Sequence, residues 1–220
     1  MSEALIILAR HPRAGEVKRR LAAELGVEAA RDLYEAFVRD LLSRFPQAIV
    51  AVEPSKDEQA FRRLFGFDRT IPQTGLDLGE RLERAAFGAL RTNERVCLIG
   101  SDLPHLPPQV VSEAFEALQA ADVVLGPARD GGYYLVGLRR EASIFRGIDW
   151  STPRVLAQTL EKASAAGLST RKLRTLIDVD TMDDLGDVFD EVFAAPLPKT
   201  QAVMRGLIQT RPGLFDGGDL

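Results

Sequence analysis

The chain has 220 residues, of which 45% are hydrophobic and 27% charged, and a formal net charge of -4, all ordinary for a soluble globular protein. This length is ample for one core, so we expect a main domain over 1–195 and a partly flexible C-terminal extension over 196–220. The acidic balance argues against a nucleic acid polymer as partner, although a small anionic ligand needs only a local basic patch.

The cysteine content and the hydropathy exclude further classes of protein. The single cysteine, Cys97, excludes a disulfide framework and a cysteine metal cluster. No apolar run approaches the roughly 20 residues of a membrane span, and the amino terminus lacks the pattern of a signal peptide. We therefore expect a cytoplasmic protein without a membrane span.

The first predicted strand, over 4–9, runs directly into a loop rich in arginine and lysine. Cations and backbone amides ahead of a helix are typical of an anion site, so the loop indicates phosphate binding, with a solvated basic loop as the alternative. The P-loop and Rossmann dinucleotide spacings are absent. The nucleotide-binding candidates here are Arg10, Gly15, Lys18 and Arg20.

The pattern then predicts a long helix to about residue 45, a strand over 48–52 and a short helix over 57–65. The glycine-framed loop 73–82 leads into another helix. This loop suits contact with a nucleotide base or sugar, while Asp77 equally suits a helix N-cap. The candidates for nucleotide binding are Gln73, Gly75, Asp77 and Arg81.

The stretch over 96–106, V-C-L-I-G-S-D-L-P-H-L, predicts a buried strand that ends at a site. Gly100 and Ser101 let the chain turn, which places Asp102 past the carboxyl end of the strand, where open α/β sheets bind ligands. Asp102 is therefore a candidate metal ligand, and a capping role before the next helix is the alternative. Ser101 joins the nucleotide-binding candidates.

Two later loops supply candidates for acceptor binding. The paired glycines of R-D-G-G-Y-Y over 129–134 allow either close approach to a ligand or a tight turn between strands. At most one of the adjacent tyrosines would face a site, since neighbours on a strand point to opposite faces. In I-D-W-S-T-P-R over 148–154, the hydroxyl residues before proline predict a helix start, and the tryptophan suits a core plug or a pocket wall. The candidates are Asp130, Gly131, Gly132, Tyr133, Trp150, Ser151 and Thr152.

Asp180 ends an extended segment and precedes a predicted helix. Thr181 and Asp184 have the spacing of a capping box, which leaves Asp180 available for another role. Prolines and glycines after residue 195 argue against a long helix or strand there. Residues 202–208 are expected to form at least one helical turn. We expect the last eight or so residues to be weakly ordered.

Five motifs in this order resemble a bacterial glycosyltransferase-like family of the GT-A fold over about residues 4–192: K-x-R-L, G-S-D-L-P, P-A-x-D-G-G-Y-Y-L, W-S-T-P and D-V-D-T-x-x-D-L. This family is related to 2-phospho-L-lactate guanylyltransferase and, more distantly, to molybdenum cofactor guanylyltransferase. The resemblance implies an α/β fold, a single-domain three-layer α/β/α sandwich with a mixed, mostly parallel sheet.

The resemblance also implies residue roles. Asp102 matches the aspartate that holds Mg2+ in this fold, and Asp180 resembles a second metal-binding aspartate, with Mn2+ as an alternative ion. Lys18 and Arg20 match the loop that grips phosphates, and residues 73–81 match the nucleotide-side segment. Relatives commonly read K-T-R where this chain reads K-R-R, so the hydroxyl contact of that threonine is missing here.

Two carboxylates beside a cationic loop suit metal-dependent displacement at phosphorus, which needs charge neutralisation more than covalent participation. We expect Lys18, Asp102 and Asp180 to be catalytic. Nucleotidyl transfer from a nucleoside triphosphate to a small phosphorylated or acidic acceptor is favoured, because the loop suits the β and γ phosphates. Glycosyl transfer from a nucleotide sugar and a non-catalytic nucleotide-binding module are the alternatives. Neither His11 nor His105 has an identifiable serine or cysteine partner, so a hydrolase triad is not favoured.

These roles carry geometric expectations. Two carboxylates that share one ion should lie within about 6 Å of each other, and neutralising either should leave the fold intact or even stabilise it, since unpaired carboxylates repel. Lys18 and Arg20 should be exposed, so that their replacement weakens nucleotide binding with little effect on folding. Dimerisation is common in such folds, but no residue of this sequence specifies a homodimer.

Overall fold

The computed structural model describes residues 2–214. The contacts within the chain divide it into two compact units, each assembled from three separate segments. The first unit comprises Met1–His11, Gln47–Gly100 and Pro107–Leu176, and the second comprises Pro12–Pro46, Ser101–Leu106 and Ile177–Leu220. No helix in the described range 2–214 combines the length and the apolar character needed to cross a membrane.

Seven strands form one sheet in the described part of the first unit: β1 (Glu3–Arg10), β2 (Ile49–Glu53), β3 (Thr70–Pro72), β4 (Arg95–Gly100), β5 (Val123–Pro127), β6 (Tyr133–Leu138) and β7 (Thr170–Lys172). Their order across the sheet is β3-β2-β1-β4-β6-β5-β7. All neighbours are parallel except β6, which is antiparallel to both β4 and β5. The mixed, mostly parallel sheet is thus confirmed, and the carboxyl ends of β1 to β4 share one edge.

The helices in chain order are α1 (Arg19–Leu25), α2 (Val27–Arg44), α3 (Glu58–Phe65), α4 (Leu78–Leu90), α5 (Pro108–Ala117), α6 (Val155–Ala165), α7 (Met182–Asp187), α8 (Phe189–Ala194) and α9 (Pro198–Thr210). A short 3-10 turn over Ser55–Asp57 precedes α3. Helices α3 to α6 belong to the first unit, and the others belong to the second. The predicted helices before residue 195 are present with ends shifted by a few residues, except that the single helix predicted after Thr181 is divided at Val188 into α7 and α8.

One row of buried apolar side chains crosses four strands of the sheet in register: Ile6, Leu98, Val136 and Leu125. The row lies on one sheet face, where Leu82 of α4 and Ala163 of α6 complete the same cluster. On the opposite face, a side chain added at Gly137 would meet Leu118, which directly follows α5, at 3.0 Å and Cys97 at 3.1 Å. Helices therefore cover both faces of the sheet, as the three-layer prediction requires, and each fully buried aliphatic side chain contributes roughly 1.5–3 kcal/mol.

The second unit is helical and has its own apolar core, to which α1, α2 and α7 to α9 contribute. Asp40 of α2 is buried and accepts the backbone N–H groups of Lys199 at 3.1 Å and Thr200 at 2.8 Å, which ties the start of α9 to α2. Helix α9 is longer than the turn predicted over 202–208, and its Met204 is fully buried. Most of the end predicted to be weakly ordered lies outside the described residues.

Candidate functional site

Lys18 joins the two predicted metal-binding aspartates in the second unit. Its ammonium nitrogen lies 2.5 Å from Oδ1 of Asp102 and 2.9 Å from Oδ1 of Asp180. The same nitrogen donates to the carbonyl oxygen of Val179 at 2.7 Å. An ammonium has three N–H donors, and here each has an oxygen acceptor. The two carboxylate oxygens therefore lie no farther apart than the sum of the two Lys18 distances, so the predicted convergence is present.

The members of this cluster differ in exposure. The Lys18 side chain is 3% exposed, whereas those of Asp102 and Asp180 are 40% and 46% exposed. Burial alone would lower the pKa of Lys18, but the charges and hydrogen bonds of Asp102 and Asp180 outweigh it and raise that pKa above its usual value. The lysine is thus a permanently charged cation beneath two carboxylates that keep contact with solvent.

The local backbone explains how this lysine reaches inward. Lys18 adopts a left-handed conformation, with φ 47° and ψ 47°, immediately before α1 begins. Such a conformation costs a residue with a side chain on the order of 1–3 kcal/mol, and it persists only where surrounding contacts impose it. The buried hydrogen bonds of the ammonium supply that compensation.

Asp180 and Asp102 are positioned by separate backbone devices. The predicted capping box is confirmed: Thr181 accepts the N–H of Asp184, and the Asp184 carboxylate accepts the N–H of Thr181 at 2.9 Å. The box fixes the chain directly after Asp180 and leaves the Asp180 side chain outside it, as predicted. The N–H of Val179 donates to the carbonyl oxygen of Asp102 at 3.0 Å, which links the two segments.

The structure corrects the expected exposure of the basic loop. Lys18 was expected at the surface, and this was wrong, because a left-handed turn directs its side chain into the unit. Arg20 is exposed as expected, and Gly15 occupies an exposed turn with φ 77°. The predicted cations of this loop therefore have different environments.

The donor chemistry of the cluster fits a divalent metal ion. Carboxylate oxygens are preferred ligands of Mg2+, and each aspartate uses one oxygen on Lys18 while its side chain remains partly exposed. Within residues 2–214, no group of three or more histidine, cysteine, aspartate or glutamate side chains is arranged to hold a metal. Asp102 and Asp180 would therefore need further oxygen ligands from solvent or from a bound molecule.

A second ionic cluster lies in the first unit, where β1 and β2 end. Glu53, the last residue of β2, pairs with Arg10 at 2.8 Å and contacts Arg81 of α4 through its other carboxylate oxygen. The side chains of Arg10 and Arg81 are 55% and 23% exposed. Glu53 thus holds two predicted nucleotide-binding arginines together at the edge where parallel sheets bind ligands.

The loop before α4 is held by hydrogen bonds between side chains and backbone groups. Gln73 donates to the carbonyl oxygen of Ala51 at 2.8 Å, and Asp77 caps α4 by accepting the N–H of Glu80 at 2.8 Å. Gly75 has φ 147°, and a side chain there would lie 2.8 Å from the backbone of Arg81. The capping alternative for Asp77 is therefore the one seen, and the loop has a fixed shape.

The acceptor-binding candidates come together within the first unit. Residues 128–132 form the hairpin turn between β5 and β6, in which Asp130 accepts the N–H of Gly132 at 2.8 Å. Gly131 has φ 89° and lies against the backbone of Pro153, so only glycine fits there. The rings of Tyr133 and Trp150 meet edge to face, with centroids 6.3 Å apart.

Neither of the hydroxyl residues before Pro153 caps α6. Thr152 does not cap α6, because the helix begins at Val155 and Arg154 is its N-cap residue. The Thr152 hydroxyl instead donates to the carbonyl oxygen of Asp149 at 2.7 Å and accepts the N–H of Arg154 at 3.3 Å. Ser151 does not cap it either, since its backbone is left-handed with φ 63°. Trp150 is half-buried and packs against the sheet core. Tyr134 is the core tyrosine of the pair, with 2% exposure.

Ser101 and Cys97 are both placed as packing residues. Ser101 is buried, and its hydroxyl lies 2.9 Å from that of Tyr34 in the same unit. Cys97 lies fully buried in β4, and burial raises the pKa of its thiol. Both side chains are therefore buried, and Cys97 is not an activated nucleophile.

Sequence reasoning missed Glu53 altogether. The signal was present, because Glu53 is an acidic residue at the end of an apolar strand, as Asp102 is just after β4. It also missed the buried character of Lys18, for which the order of residues in the loop gives no sign.

Comparison with protein families supports the resemblance found in the motifs. The model of the family described as "Uncharacterized protein conserved in bacteria (DUF2064)" matches residues 41–152. A 2-phospho-L-lactate guanylyltransferase of Methanopyrus kandleri is 30% identical over 179 residues, which are 79% of this chain and 85% of that enzyme. The enzyme of the same name from Methanothermobacter thermautotrophicus is 27% identical over 177 residues, 78% of each protein.

A solved structure agrees over the full length. A crystal structure from Desulfovibrio desulfuricans G20, of a protein classed with nucleotide-diphospho-sugar transferases, is 32% identical and covers 100% of both chains with a TM-score of 0.89. The fold expected from the motifs, that of the nucleotide-diphospho-sugar transferases, is therefore confirmed.

Proposed function

This chain belongs to the DUF2064 family, and from that membership and its site geometry we propose that it transfers a nucleotidyl group from a nucleoside triphosphate to a small phosphorylated acid, with a divalent metal ion. The curated relatives are named guanylyltransferases, so guanosine triphosphate is the proposed donor. The broader statement, that the chain is a nucleotidyltransferase, follows from the same relatives.

The observation that carries this proposal is the convergence of Asp102 and Asp180 on Lys18. Two partly exposed carboxylates held close together are suited to bind Mg2+ or Mn2+. When bound, the ion would neutralise negative charge on the phosphates of the donor. A non-catalytic module would have no need to keep two acids half exposed around one buried cation.

The reaction requires alignment rather than a covalent intermediate on the protein. An oxygen of the acceptor attacks the α-phosphorus of the donor, a new P–O bond forms, and the bond to the β-phosphate oxygen breaks to release pyrophosphate. Asp102 and Asp180 would hold the metal. The exposed Arg20 of the second unit is proposed to bind phosphate groups through charge-assisted hydrogen bonds. Within the first unit, the same role is proposed for the exposed Arg10 and the partly buried Arg81.

The acceptor is proposed to contact the hairpin turn and the loop that packs against it. The curated relatives are named for 2-phospho-L-lactate, a phosphorylated hydroxy acid, and this is the acceptor class we propose. The fixed backbone at Gly131 and the Tyr133–Trp150 ring pair give this region a defined shape. Polar backbone and aromatic surfaces together are typical of sites for small ligands.

The test is an assay of label transfer from nucleoside triphosphates that carry 32P at the α position. The protein, Mg2+ and one triphosphate at a time are incubated with 2-phospholactate, phosphoenolpyruvate or 3-phosphoglycerate, and both the labelled adduct and pyrophosphate are measured. We expect acceptor-dependent formation of both products in equal amounts, with the guanine nucleotide preferred.

Parallel reactions with nucleotide sugars separate the alternatives. Transfer of the sugar to any acceptor, with release of the nucleoside diphosphate, would replace nucleotidyl by glycosyl transfer. Binding of nucleotides without any product from either donor class, over the whole acceptor panel, would indicate a non-catalytic module. A thermal-shift series with and without Mg2+ establishes binding in each case, because ligands stabilise the folded state by mass action.

A further inference from the structure

The charge balance around Lys18 carries a further consequence, which rests on the proposed function. Two carboxylates contribute two negative charges, and the buried ammonium that contacts both cancels one of them. The three groups together therefore carry one net negative charge. A doubly charged metal ion at these carboxylates would also be repelled by the ammonium, which lies within 2.9 Å of both acids.

The number of side chains available as metal ligands also argues against tight binding of a free divalent ion. In the described part of the chain, no third acidic, histidine or cysteine side chain joins Asp102 and Asp180 in a metal-binding group. Mg2+ held by one or two carboxylates usually relies on substrate phosphates and water for its other ligands. The protein alone is therefore short of both charge and ligands for a free divalent ion.

We propose that Lys18 is a positioning residue that acts as an internal counter-ion, so that Asp102 and Asp180 bind a divalent metal only together with the triphosphate. The ammonium keeps the carboxylates side by side when no metal is present, which prevents their mutual repulsion. It also lowers the affinity for free metal. The phosphates of the nucleotide then restore the missing negative charge and oxygen ligands.

The left-handed backbone of Lys18 is an independent sign that the chain maintains this contact. A lysine in a loop could reach solvent from an unstrained conformation. Here the chain accepts an unfavourable conformation, with φ 47°, and places the ammonium against two acids and one carbonyl oxygen. Strain of this kind clusters at functional sites.

The experiment measures Mn2+ binding to the metal-free protein by electron paramagnetic resonance, with and without a non-hydrolysable guanosine triphosphate analogue. The unaltered protein should bind Mn2+ weakly alone and at least about tenfold more tightly with the analogue. Lys18→Met should bind free Mn2+ at least about tenfold more tightly than the unaltered protein, because the repelling charge is gone. Lys18→Arg should keep the weak affinity, and so should the matched control Arg19→Met, which changes the exposed neighbour.

The outcomes are distinguishable. Free Mn2+ bound by the unaltered protein as tightly as in the presence of the analogue would overturn the role of Lys18, and this comparison needs no variant to fold. Lys18→Met with unchanged or weaker affinity for free Mn2+ would overturn it as well. Failure of the analogue to bind the unaltered protein at all would instead count against the proposed function.

Discussion

The two ionic clusters of this protein are opposite in composition. In the second unit, one buried cation, Lys18, holds two partly exposed acids. In the first unit, one acid, Glu53, holds two arginines that are 55% and 23% exposed. The first arrangement carries a net negative charge and suits a cation, while the second carries a net positive charge and suits an anion.

The comparison shows how a shared counter-ion prepares a binding group. In each cluster, the central residue keeps two like charges close together, which they would otherwise avoid, and it leaves them partly open to solvent. The ligand then needs little rearrangement of the protein. In such an arrangement the outer residues contact the ligand, and the central residue acts through the outer ones.

The largest effect is expected at the outer acids. Asp102→Asn or Asp180→Asn should lower turnover by about 100-fold to 1,000-fold, because each removes a charged oxygen ligand from the metal. The rate of pyrophosphate release at saturating nucleotide measures it. Asp183→Asn is the matched control, since Asp183 is an exposed acid in the first turn of α7. A similar loss in the control would contradict the assignment.

The contacts of Lys18 change the stability that we expect for the same two variants. Replacement of Asp102 or Asp180 was expected to leave the fold intact, or to stabilise it because the two carboxylates would no longer repel each other. Lys18, however, already compensates that repulsion. We now expect each variant to lower the free energy of unfolding by about 1–2 kcal/mol, because the buried ammonium loses a charged partner. Urea denaturation at neutral pH measures this change, and a rise in stability would mean that repulsion between the two carboxylates outweighs their attraction to Lys18.

Acid should destabilise the protein through His105, in the segment of the second unit that carries Asp102. Burial, and then the charge of Arg44, lower the pKa of His105 from 6.5 to about 4. Arg44 donates to the carbonyl oxygens of Pro104 and Leu106 on either side, and the carboxylate of Glu191 is 3.9 Å away, too far for a hydrogen bond. Neither ring nitrogen of His105 has a hydrogen-bond partner in residues 2–214.

Between these two pKa values the unfolded chain binds the His105 proton and the folded protein does not, so stability falls as pH falls from 6.5 to about 4. The full loss is about 3 kcal/mol, since each pKa unit is worth about 1.4 kcal/mol. Urea denaturation at several pH values across this range gives the free energy of unfolding as a function of pH. This free energy should change less steeply with pH in His105→Leu than in the unaltered protein. Equal slopes in the two proteins would mean that other groups cause the acid lability.

The central residue of the acidic cluster should matter for folding in a way that its neighbour does not. Lys18→Met should lower the free energy of unfolding by about 2 kcal/mol, because the charge-assisted hydrogen bonds of the ammonium to two partly exposed carboxylates are lost. Arg19→Met, at an exposed position, should stay within about 0.5 kcal/mol. Thermal and urea unfolding compare the two, and Mn2+ should restore part of the loss in Lys18→Met. Equal stability of both variants would remove the distinction between the positions.

The smallest effect is expected at the basic cluster. Arg10→Met and Arg81→Met should each weaken nucleotide binding by about threefold to tenfold at low ionic strength, with the difference shrinking as salt rises. Calorimetric titration measures both dependences. Arg84→Met is the control on the same helix, because Arg84 is 57% exposed and pairs with Glu80 instead of Glu53. An equal loss in the control would argue for a diffuse charge effect.

Much of the fold could be predicted, because apolar periodicity marks the strands and helices directly. Asp102 and Asp180 could be found because each follows an extended segment and precedes a helix. Local sequence patterns do not show that these two carboxylates lie close together, because that depends on contacts between distant parts of the chain. The resemblance of the motifs to a known family gave that expectation. The structure agrees, with both acids on one ammonium.

The rest of the site depended on backbone conformations that residue types do not specify. Lys18 and Ser151 are both left-handed, with φ 47° and 63°, although neither is glycine. The conformation of Lys18 directs inward a cation that was predicted to be exposed. The conformation of Ser151 is not that of a helix, and α6 begins only at Val155. Glu53 is different, because the sequence does mark it as an acid at the end of an apolar strand, much as Asp102 follows β4.

The most direct test of the central claim is a crystal structure of the protein with Mg2+ and a non-hydrolysable guanosine triphosphate analogue. We predict one metal ion coordinated by Asp102, Asp180 and phosphate oxygens, with the Lys18 ammonium still bound to both carboxylates. A bound nucleotide whose metal contacts neither aspartate would contradict the account.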